Sequence, residues 1–559
     1  MEEILTQAIN KAIVRKTGQK IPIELSYPEE KFGDYSTNIA LKLAKVLALN
    51  PRELASEIVK VLEVELKEDV KAINVAGPGF INFTLNDHSL LKQMSEPIDK
   101  PLLGQTIVVE FSDPNPFKSL HAGHLYSSIV GDVIANLLTK AGAKVIRLNY
   151  GGDVGLHVAK SLWAMINLLG GQNPDKLQAI ESSNRSLWMS EAYVKGSEAY
   201  ANDPSSAAEI AELNKQVYQI QASNDHDSAL AKIYWTTRTW SYEAFEQFYQ
   251  KINIRFDKYY PESEVVETAI SVVNEQLKKH VFEMSDGAVV FKGEQYGLHT
   301  RVFINSRGIP TYEAKEVGLA LSKYRDYKFD RSIIITASEQ EQYMAVVYKA
   351  IEQFAPKIAE LTTHLTHGLV KLAGGVKMSS RKGNTLTADQ VLEASYYELS
   401  LVHANPDDLV SIAAVKYSML KQRLGGDIVY DPKESISVIG NSGPYLQYAH
   451  ARACSILSKV GSKPEAEIET NLNLNVEERR LLLKLSRYHQ AIRIASSEFS
   501  PHVLCTYLYE LTQVFSHFYE TNRVVNGDNQ NLRIKLVQYY QAILKDGLSI
   551  LGIESPEHL

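Results

Sequence analysis

The sequence predicts an α/β protein in which a domain built on a parallel sheet lies between a small N-terminal α/β module and a C-terminal all-α bundle. A β-branched run, IVVEF at 107–111, precedes an apolar helical pattern and then a second apolar run, KVIRLNY at 144–150. A strand, a helix and a strand in this order predict parallel pairing with a right-handed crossover. After about residue 395 the periodicity is almost purely helical, as in LCTYLYELTQVFSHFYE at 504–520.

The boundaries follow from these patterns. Residues 1–100 alternate helical patterns such as NIALKLAKVLAL with the β-like run FINFTL, which follows the turn AGPGF. Residues 101–395 form the parallel-sheet domain, with a helix-rich insertion at about 160–300. Strands are expected again at 302–372, in RSIIITAS and HGLVKLA, and residues 396–559 form the helical bundle.

Composition limits the class of protein. The chain has 559 residues, a net charge of −7 and 45% hydrophobic residues, which argues against a wholly basic protein that coats nucleic acid. No apolar run approaches the roughly 18–20 residues of a membrane span, and the acidic N-terminus does not resemble a signal peptide. With only two cysteines, Cys454 and Cys505, we expect a reducing, cytoplasmic setting and no membrane partner.

Two histidines, His121 and His124, stand where the first strand of the sheet gives way to its helix, in the stretch SDPNPFKSLHAGH. Helix N-termini at the carboxyl edge of a parallel sheet favour phosphate oxygens, and imidazole N–H groups add donors there. Gly123 between them leaves room for a flat ring such as adenine. The pattern indicates a nucleoside triphosphate site. The alternatives are ordinary helix-start residues and, with less support, a metal site.

A second stretch, GGVKMSSRKGNTL at 374–386, combines three cations with small residues just after an expected strand. Lys377, Arg381 and Lys382 are suited to surround a transferring pyrophosphate and to neutralise its developing charge. A solvated basic loop is the alternative. The order of the two stretches, each after a strand of one sheet, favours the nucleotide interpretation.

This pair of stretches resembles the HIGH and KMSKS signatures of class I aminoacyl-tRNA synthetases. Longer stretches are similar to the arginyl-tRNA synthetase family, namely EFSDPNPFKSLHAGH, RLNYGGDVGLH, GIPTYEAKEVGLAL, KMSSRKGN and GPYLQYAHAR. The resemblance implies a Rossmann-type catalytic domain, an additional N-terminal tRNA-binding domain and an anticodon-binding bundle. It also implies activation of L-arginine by ATP to arginyl-adenylate, followed by transfer to the 3′-terminal ribose of tRNA(Arg). AMP and pyrophosphate leave, Mg²⁺ accompanies ATP, no tightly bound prosthetic group is needed, and we expect a monomer.

The resemblance assigns roles to individual residues. The implied catalytic residues are His121, His124, Lys118 and Lys377. The implied ATP-binding residues are His121, Gly123, His124, Lys377, Met378, Ser379, Arg381 and Lys382. The implied arginine-binding residues are Glu110, Asn115, Tyr312, Glu316 and Gln340. Carboxylates and amide acceptors suit a planar guanidinium with five donors. The alternative for each of these residues is an ordinary role at the surface or as a helix cap.

Two departures from the family pattern bear on these roles. Glu316 stands where aspartate is commoner, so its side chain needs a slightly different pocket depth. Ser380 stands where the KMSKS-like loop usually has lysine. Lys118, three residues before His121, matches a variant pattern in which an upstream lysine supplies the missing cation.

The helical bundle carries a candidate RNA contact. Arg480, Lys484 and Arg487 are expected on one face of a helix, where they could meet phosphates. Tyr448, in YLQYAHAR, is expected either to stack on a base or to pack at a hinge. A solvated helix face is the alternative for such a stripe. The sequence is also compatible with three other functions: another HxGH nucleotidyl transferase, a class I synthetase for a different amino acid, and a catalytically silent tRNA-binding paralogue.

Overall fold

The computed structural model describes residues 1–18, 20–373, 386–460 and 474–559. The strands in this part of the chain are β1 Tyr35–Thr37, β2 Val70–Ala76, β3 Phe80–Leu85, β4 Thr106–Glu110, β5 Lys144–Gly151, β6 Lys258–Pro261, β7 Glu283–Ser285, β8 Ala288–Phe291, β9 Arg301–Ile304, β10 Arg331–Ala337, β11 Thr362–His367, β12 Val370–Leu372 and β13 Ile428–Tyr430. The α-helices in the same part are α1 Glu2–Thr17, α2 Ile39–Leu47, α3 Pro51–Glu65, α4 Asp87–Ser95, α5 Ala122–Lys140, α6 Leu156–Leu168, α7 Arg185–Asn202, α8 Pro204–Ser223, α9 Ala229–Lys251, α10 Glu262–Lys278, α11 Tyr312–Tyr327, α12 Glu341–Glu352, α13 Pro356–Glu360, α14 Ala388–Val402, α15 Asp408–Leu420, α16 Pro432–Ser435, α17 Gly443–Val460, α18 Val476–Ser486, α19 Tyr488–Ser497, α20 Pro501–Thr521 and α21 Gln530–Ile550.

The N-terminal module packs α1 to α3 against a three-stranded antiparallel sheet in the order β1-β3-β2. Its helices begin where the sequence supplies caps. The Asn50 side chain accepts hydrogen bonds from the backbone N–H groups at the start of α3, and Asn86 caps α4 in the same way. The expected α/β character of this segment and the strand at FINFTL are therefore present in the structure.

The central sheet is parallel throughout, with strand order β11-β10-β4-β5-β6. The chain runs from β4 through α5 to β5 on one side, while β10 joins β4 on the other. Strand order therefore reverses between β4 and β10. Open parallel sheets bind ligands at such a switch point, beyond the carboxyl ends of the strands.

The helical insertion is shorter than the expected 160–300. Helices α6 to α9 account for it, and β6 then returns to the central sheet beside β5. Residues 283–304 form a small antiparallel sheet, β7 to β9. Four-residue strands such as KYYP at 258–261 are too short to show a period of their own, so the sequence pattern did not separate them from the helices.

The stretch HGLVKLA, expected as one strand, is divided in the structure. Strand β11 ends at His367, and β12 starts at Val370 and pairs with β13 in a separate two-stranded sheet. A Cβ atom on Gly368 would lie 2.3 Å from the Gly426 backbone, so the chain passes that segment too closely for any other residue.

The C-terminal bundle packs directly on the helix that follows β4. Helices α19, α20 and α21 contact α5, and their apolar side chains belong to one core with those of α5 and the N-terminal module. Polar contacts stabilise the same boundary: Lys140 pairs with Asp546 at 2.6 Å, and the Asn136 amide donates to the Ile550 carbonyl at 3.1 Å. The other face of the sheet is covered by α10 to α12.

A search of the helices in the described ranges finds none long and apolar enough to cross a membrane.

Candidate active site

A cavity of approximately 1130 Å³ opens at the switch point of the central sheet. Its walls come from the ends of two strands and from the first turns of two helices. They include Glu110 of β4, Ala337 of β10, His121 and His124 at α5, and Tyr312 and Glu316 of α11. Elements far apart in the sequence thus place most of the expected site residues around one space.

The segment that joins β4 to α5 has a strained backbone. Ser112, Asp113 and Phe117 have φ angles of 75°, 50° and 67°, a region that residues other than glycine rarely adopt. Side-chain contacts hold this shape, since Asp113 Oδ1 accepts from the Tyr150 backbone N–H at 2.7 Å. Strain that the surroundings maintain is typical of sites that position a ligand.

The two histidines form a reciprocal cap at the N-terminus of α5. The Nδ1 atom of His121 accepts from the backbone N–H of Gly123 at 3.1 Å and of His124 at 3.3 Å. The Nδ1 atom of His124 accepts from the His121 backbone N–H at 3.2 Å. A nitrogen that accepts carries no proton, so each neutral ring carries its proton on Nε2.

Burial reinforces the neutral form of both rings. Loss of water lowers the pKa of His121 and His124, and the Lys118 charge lowers the pKa of both further. Both Nε2–H groups are therefore available as donors at neutral pH, beside the positive end of the helix dipole. The arrangement can stabilise negative charge that develops on a phosphate.

Gly123 has a different structural reason from the one the sequence suggested. A Cβ atom at this position would lie 2.9 Å from Cε1 and Nδ1 of His121. The glycine is required because the His121 ring folds back over it to reach the backbone N–H groups.

Next to the histidines lies an acidic chamber, which we define as Glu110, Asp113, Glu262, Glu313 and Glu316. Two of these carboxylates already have buried cationic partners, because Lys323 donates to Glu110 and Lys315 donates to Glu262. Within the described residues, neither Asp113 nor Glu316 forms an ion pair. The chamber therefore holds more acceptors than its own cations satisfy.

The electrostatics of the chamber show the same imbalance. Burial, and then the neighbouring Glu110 charge, raise the pKa of Glu316 to about 8. Burial and Glu110 also raise the pKa of Asp113 well above its ordinary value. A carboxyl group in such a place is stabilised in its charged form by an opposite charge, so the chamber favours a cationic ligand.

Polar groups around the chamber complete it. The Asn115 Oδ1 atom accepts from the Gly152 backbone N–H at 2.8 Å, so the Asn115 amide keeps its two donors. Tyr312 is half-exposed at the cavity wall, and Gln340 is exposed at its edge, just before α12. Glu110, Asn115, Tyr312, Glu316 and Gln340 thus all line the same cavity.

Sequence reasoning missed His157 and the chamber residues Asp113, Glu262 and Glu313. His157 stands in RLNYGGDVGLH, a stretch that the resemblance had already marked. Glu262 follows the short strand β6, which lies within the stretch expected to form the helical insertion. Asp113 and Glu262 stand close to the carboxyl ends of β4 and β6, so a polar residue near a strand end was the available signal, whereas His157 lies in the first turn of α6.

The cationic residues of the expected site are placed less completely. The Lys118 ammonium lies 4.2 Å from the ring centre of Tyr193 on α7, against the helical insertion. Lys377, Met378, Ser379, Ser380, Arg381 and Lys382 lie outside the described residues. The residues on either side of that gap, Leu372 and Leu386, line the cavity. The Ala122 backbone N–H donates to the Leu386 carbonyl at 2.8 Å, which ties the chain after the gap to the histidines.

The stripe on α18 is not a free surface. Arg480 forms a double contact with Glu30 of the N-terminal module, at 2.9 and 2.6 Å, and Arg487 donates to the Asp34 carbonyl. Lys484 pairs with Glu510 at 2.6 Å. The expectation of an open phosphate-binding stripe missed these partners, because two of them lie about 450 residues away in the sequence. Tyr448 on α17 is half-exposed.

Three protein-family models together match nearly the whole chain. Residues 88–430 match the family described as tRNA synthetases class I (R), catalytic domain. Residues 446–559 match the DALR anticodon binding domain, and residues 1–85 match the arginyl tRNA synthetase N terminal domain.

Individual relatives agree with the family match. A protein named arginine–tRNA ligase from Colwellia psychrerythraea is 31% identical, with full coverage of both chains. One with the same name from Fusobacterium nucleatum is 30% identical over 95% of this chain and 94% of its own. The structure of Thermus thermophilus arginyl-tRNA synthetase matches with a TM-score of 0.80 at 26% identity, over 100% of each chain. With a catalytic domain of this class over more than half its length, the chain belongs to the class I arginyl-tRNA synthetase family.

Proposed function

We infer that this chain is an arginine–tRNA ligase. It activates L-arginine with ATP to arginyl-adenylate, releases pyrophosphate, and transfers the arginyl group to the 3′-terminal ribose of tRNA(Arg) with release of AMP. The observation that carries this function is the acidic chamber beside the paired Nε2–H donors of His121 and His124. One part of the cavity suits a cation and the adjoining part suits phosphate.

For the arginine end of the reaction, we propose that Glu110, Asn115, Tyr312, Glu316 and Gln340 hold the amino acid. Glu316 has a raised pKa in the free protein, so a bound guanidinium would stabilise its carboxylate. A planar group with five donors matches several acceptors at once, whereas an ammonium presents three donors from a point.

For the phosphate end, no covalent intermediate with the protein is needed. The arginine carboxylate attacks the α-phosphate, and pyrophosphate leaves. His121 and His124 donate through Nε2 to charge that develops on the phosphates, while Lys118, Lys377, Arg381 and Lys382 supply positive charge around the leaving group. Gly123, Met378 and Ser379 complete the proposed ATP site. Mg²⁺ binds mainly to the ATP phosphates, as is usual for this ion.

For the tRNA, we propose that the modules on either side of the catalytic domain provide the contacts, with boundaries near residues 100 and 395. Tyr448 is the candidate for stacking on a base, because its side chain is half-exposed. Arg480 and Arg487 serve first to join the bundle to the N-terminal module, and Lys484 is held within the bundle. We further propose a monomer in the cytoplasm, where the two free cysteines suit a reducing setting.

The test is ATP–pyrophosphate exchange by the full chain, with arginine, lysine or citrulline and with or without tRNA(Arg). We expect exchange with arginine and negligible exchange with the other two, since unpaired acceptors in the chamber support discrimination of about ten-thousandfold. Exchange driven by another amino acid and not by arginine contradicts the substrate. A chain that binds tRNA(Arg) without any exchange contradicts the enzymatic function.

A further inference from the structure

We propose that His157 is a positioning residue for arginine selection, which fixes the Tyr312 hydroxyl so that its oxygen can only accept hydrogen bonds from the ligand. The inference rests on the proposed function, because it concerns how the same chamber recognises a guanidinium. Both ring nitrogens of the buried His157 side chain have a hydrogen-bond partner.

One nitrogen of His157 must carry the proton. Its Nε2 lies 2.6 Å from the Gly152 carbonyl oxygen, which can only accept a hydrogen bond. The ring therefore donates through Nε2. The other nitrogen, Nδ1, lies 3.2 Å from the Tyr312 hydroxyl oxygen. In a neutral ring that nitrogen can only accept, so the hydroxyl must donate to it.

The surroundings keep this ring neutral. His157 is 7% exposed, at the start of α6. Burial lowers the pKa of His157 to about 3, and the nearby charges of Lys118, Lys315 and Lys160 act in the same direction. Only the neutral ring has an acceptor, so the direction of the Tyr312 hydrogen bond does not change over the pH range in which the enzyme works.

A tyrosine hydroxyl has one hydrogen. Once that hydrogen is directed to His157, the oxygen offers lone pairs alone to the cavity. The ordinary pKa of a tyrosine hydroxyl is about 10, so Tyr312 keeps this hydrogen at neutral pH. A guanidinium presents only donors and fits such an oxygen. The ureido group of citrulline places a carbonyl acceptor in the same region, and two acceptors that face each other leave both unsatisfied.

Gly152 also links His157 to Asn115, which lines the same cavity. The Gly152 carbonyl accepts from His157, while the Gly152 N–H donates to Asn115 Oδ1. A Cβ atom on Gly152 would lie 2.5 Å from that oxygen and 3.0 Å from the His157 ring. Gly152 therefore connects His157 with Asn115 behind the chamber. The two hydrogen bonds of His157, to Gly152 and to Tyr312, can be tested separately by variants that keep only one of them.

Three variants make that separation. His157→Asn places an amide oxygen near the position of Nδ1 and keeps an acceptor for Tyr312. His157→Gln places an amide nitrogen near Nε2 and keeps the donor to Gly152. His157→Leu keeps neither. The measurements are the KM for arginine, the KM for ATP and the inhibition constant of citrulline, in exchange assays with tRNA(Arg) present, with thermal melting as a check of the fold.

We expect His157→Gln and His157→Leu to raise the KM for arginine by roughly fivefold to tenfold, the loss expected for one hydrogen bond. Both should strengthen inhibition by citrulline, because the freed hydroxyl can donate to its carbonyl. His157→Asn should keep the discrimination between arginine and citrulline. In a Tyr312→Phe background, His157→Leu should add no further change in the KM for arginine.

Two results would overturn the inference. One is a His157→Asn variant that loses discrimination as fully as His157→Gln. The other is an undiminished effect of His157→Leu in the Tyr312→Phe background. If His157→Leu does not fold, the comparison of His157→Asn with His157→Gln still decides. Failure of the proposed function has a different signature, namely a wild-type chain without arginine-dependent exchange.

Discussion

The rings of His121 and His124 stack with their centroids 3.6 Å apart, and each ring accepts a hydrogen bond from the backbone N–H of the other residue. Two side chains thus close the N-terminus of α5 and at the same time turn both Nε2–H groups away from that backbone. Helix capping and phosphate recognition are therefore built from the same two residues, and a substitution can separate them.

His121→Asn should separate these roles. Asparagine is a good N-cap, so α5 and the melting temperature should be preserved, but the Nε2 donor is lost and adenylate formation should slow roughly 100-fold or more. His121→Ala should lose the same rate and also about 1 kcal/mol of stability. Single-turnover formation of adenylate and thermal melting are the two measurements. A His121→Asn variant at the wild-type rate would exclude a catalytic role for the imidazole.

Arginine binding should depend on pH through Glu316. Since burial and Glu110 raise the pKa of Glu316 to about 8, the free carboxyl is mostly protonated at neutral pH, and it must ionise to pair with a guanidinium. The affinity for arginine should therefore increase as pH rises from roughly 6 to 8, by at most about tenfold per pH unit, and then level off.

Two variants serve as controls for that pH dependence. Glu316→Gln should bind arginine weakly and with a shallower pH profile, because nothing at that position titrates while Asp113, whose pKa is also raised, still does. Glu316→Asp should retain a rising profile and more affinity than Glu316→Gln. Dissociation constants from calorimetry across this pH range check both. A Glu316→Gln profile that still rises like the wild type would assign the titration to another group.

Lys118 should contribute a cation to adenylate formation. Lys118→Ala is expected to slow this step severely, and adding Ser380→Lys should restore part of the rate. Because the Lys118 ammonium lies over the Tyr193 ring, Tyr193→Phe should leave the rate unchanged, whereas Tyr193→Leu should lower it by releasing the ammonium. A double variant no faster than Lys118→Ala would contradict the compensation by Lys118.

The contact between α18 and the N-terminal module should behave as a structural joint. Arg479 donates to both oxygens of Asp34, which is 1% exposed, so Arg479→Met should lower the free energy of unfolding by about 2 kcal/mol. The more exposed pair of Arg480 with Glu30 is worth less, and Arg480→Ala should cost about 1 kcal/mol or less. Denaturant unfolding measures both.

The same variants decide whether the α18 stripe meets RNA. The Arg480 guanidinium is committed to Glu30, so Arg480→Ala should leave the salt dependence of tRNA(Arg) binding unchanged. A phosphate contact would instead reduce the logarithmic salt slope by about one on removal. A salt slope that falls by this amount in Arg480→Ala would show that Arg480 contacts a phosphate of the tRNA.

The sequence by itself determined the elements whose signal is local. The β-branched run IVVEF and the apolar periodicity after HAGH can be recognised from residues only a few positions apart. Strands β4 and β5 and helix α5 were therefore predicted in the correct order, with His121 and His124 at the start of the helix. The helical character of the C-terminal part, apart from the short strand β13, follows from the same 3.6-residue period. Tyr312 and Glu316 were identified as candidate arginine-binding residues because they stand in GIPTYEAKEVGLAL, a stretch similar to the family.

Tertiary structure decided which charges are already paired and which are left for a ligand. Lys323 meets Glu110 from 213 residues away, and Lys315 meets Glu262 from 53 residues away. That Glu316 forms no ion pair within the described ranges could therefore not be inferred from its neighbours in the sequence. Arg480 pairs with Glu30 from 450 residues away, and His157 lies beside the Tyr312 hydroxyl. Burial and ion pairing depend on distance in space, and a local sequence pattern does not contain that distance.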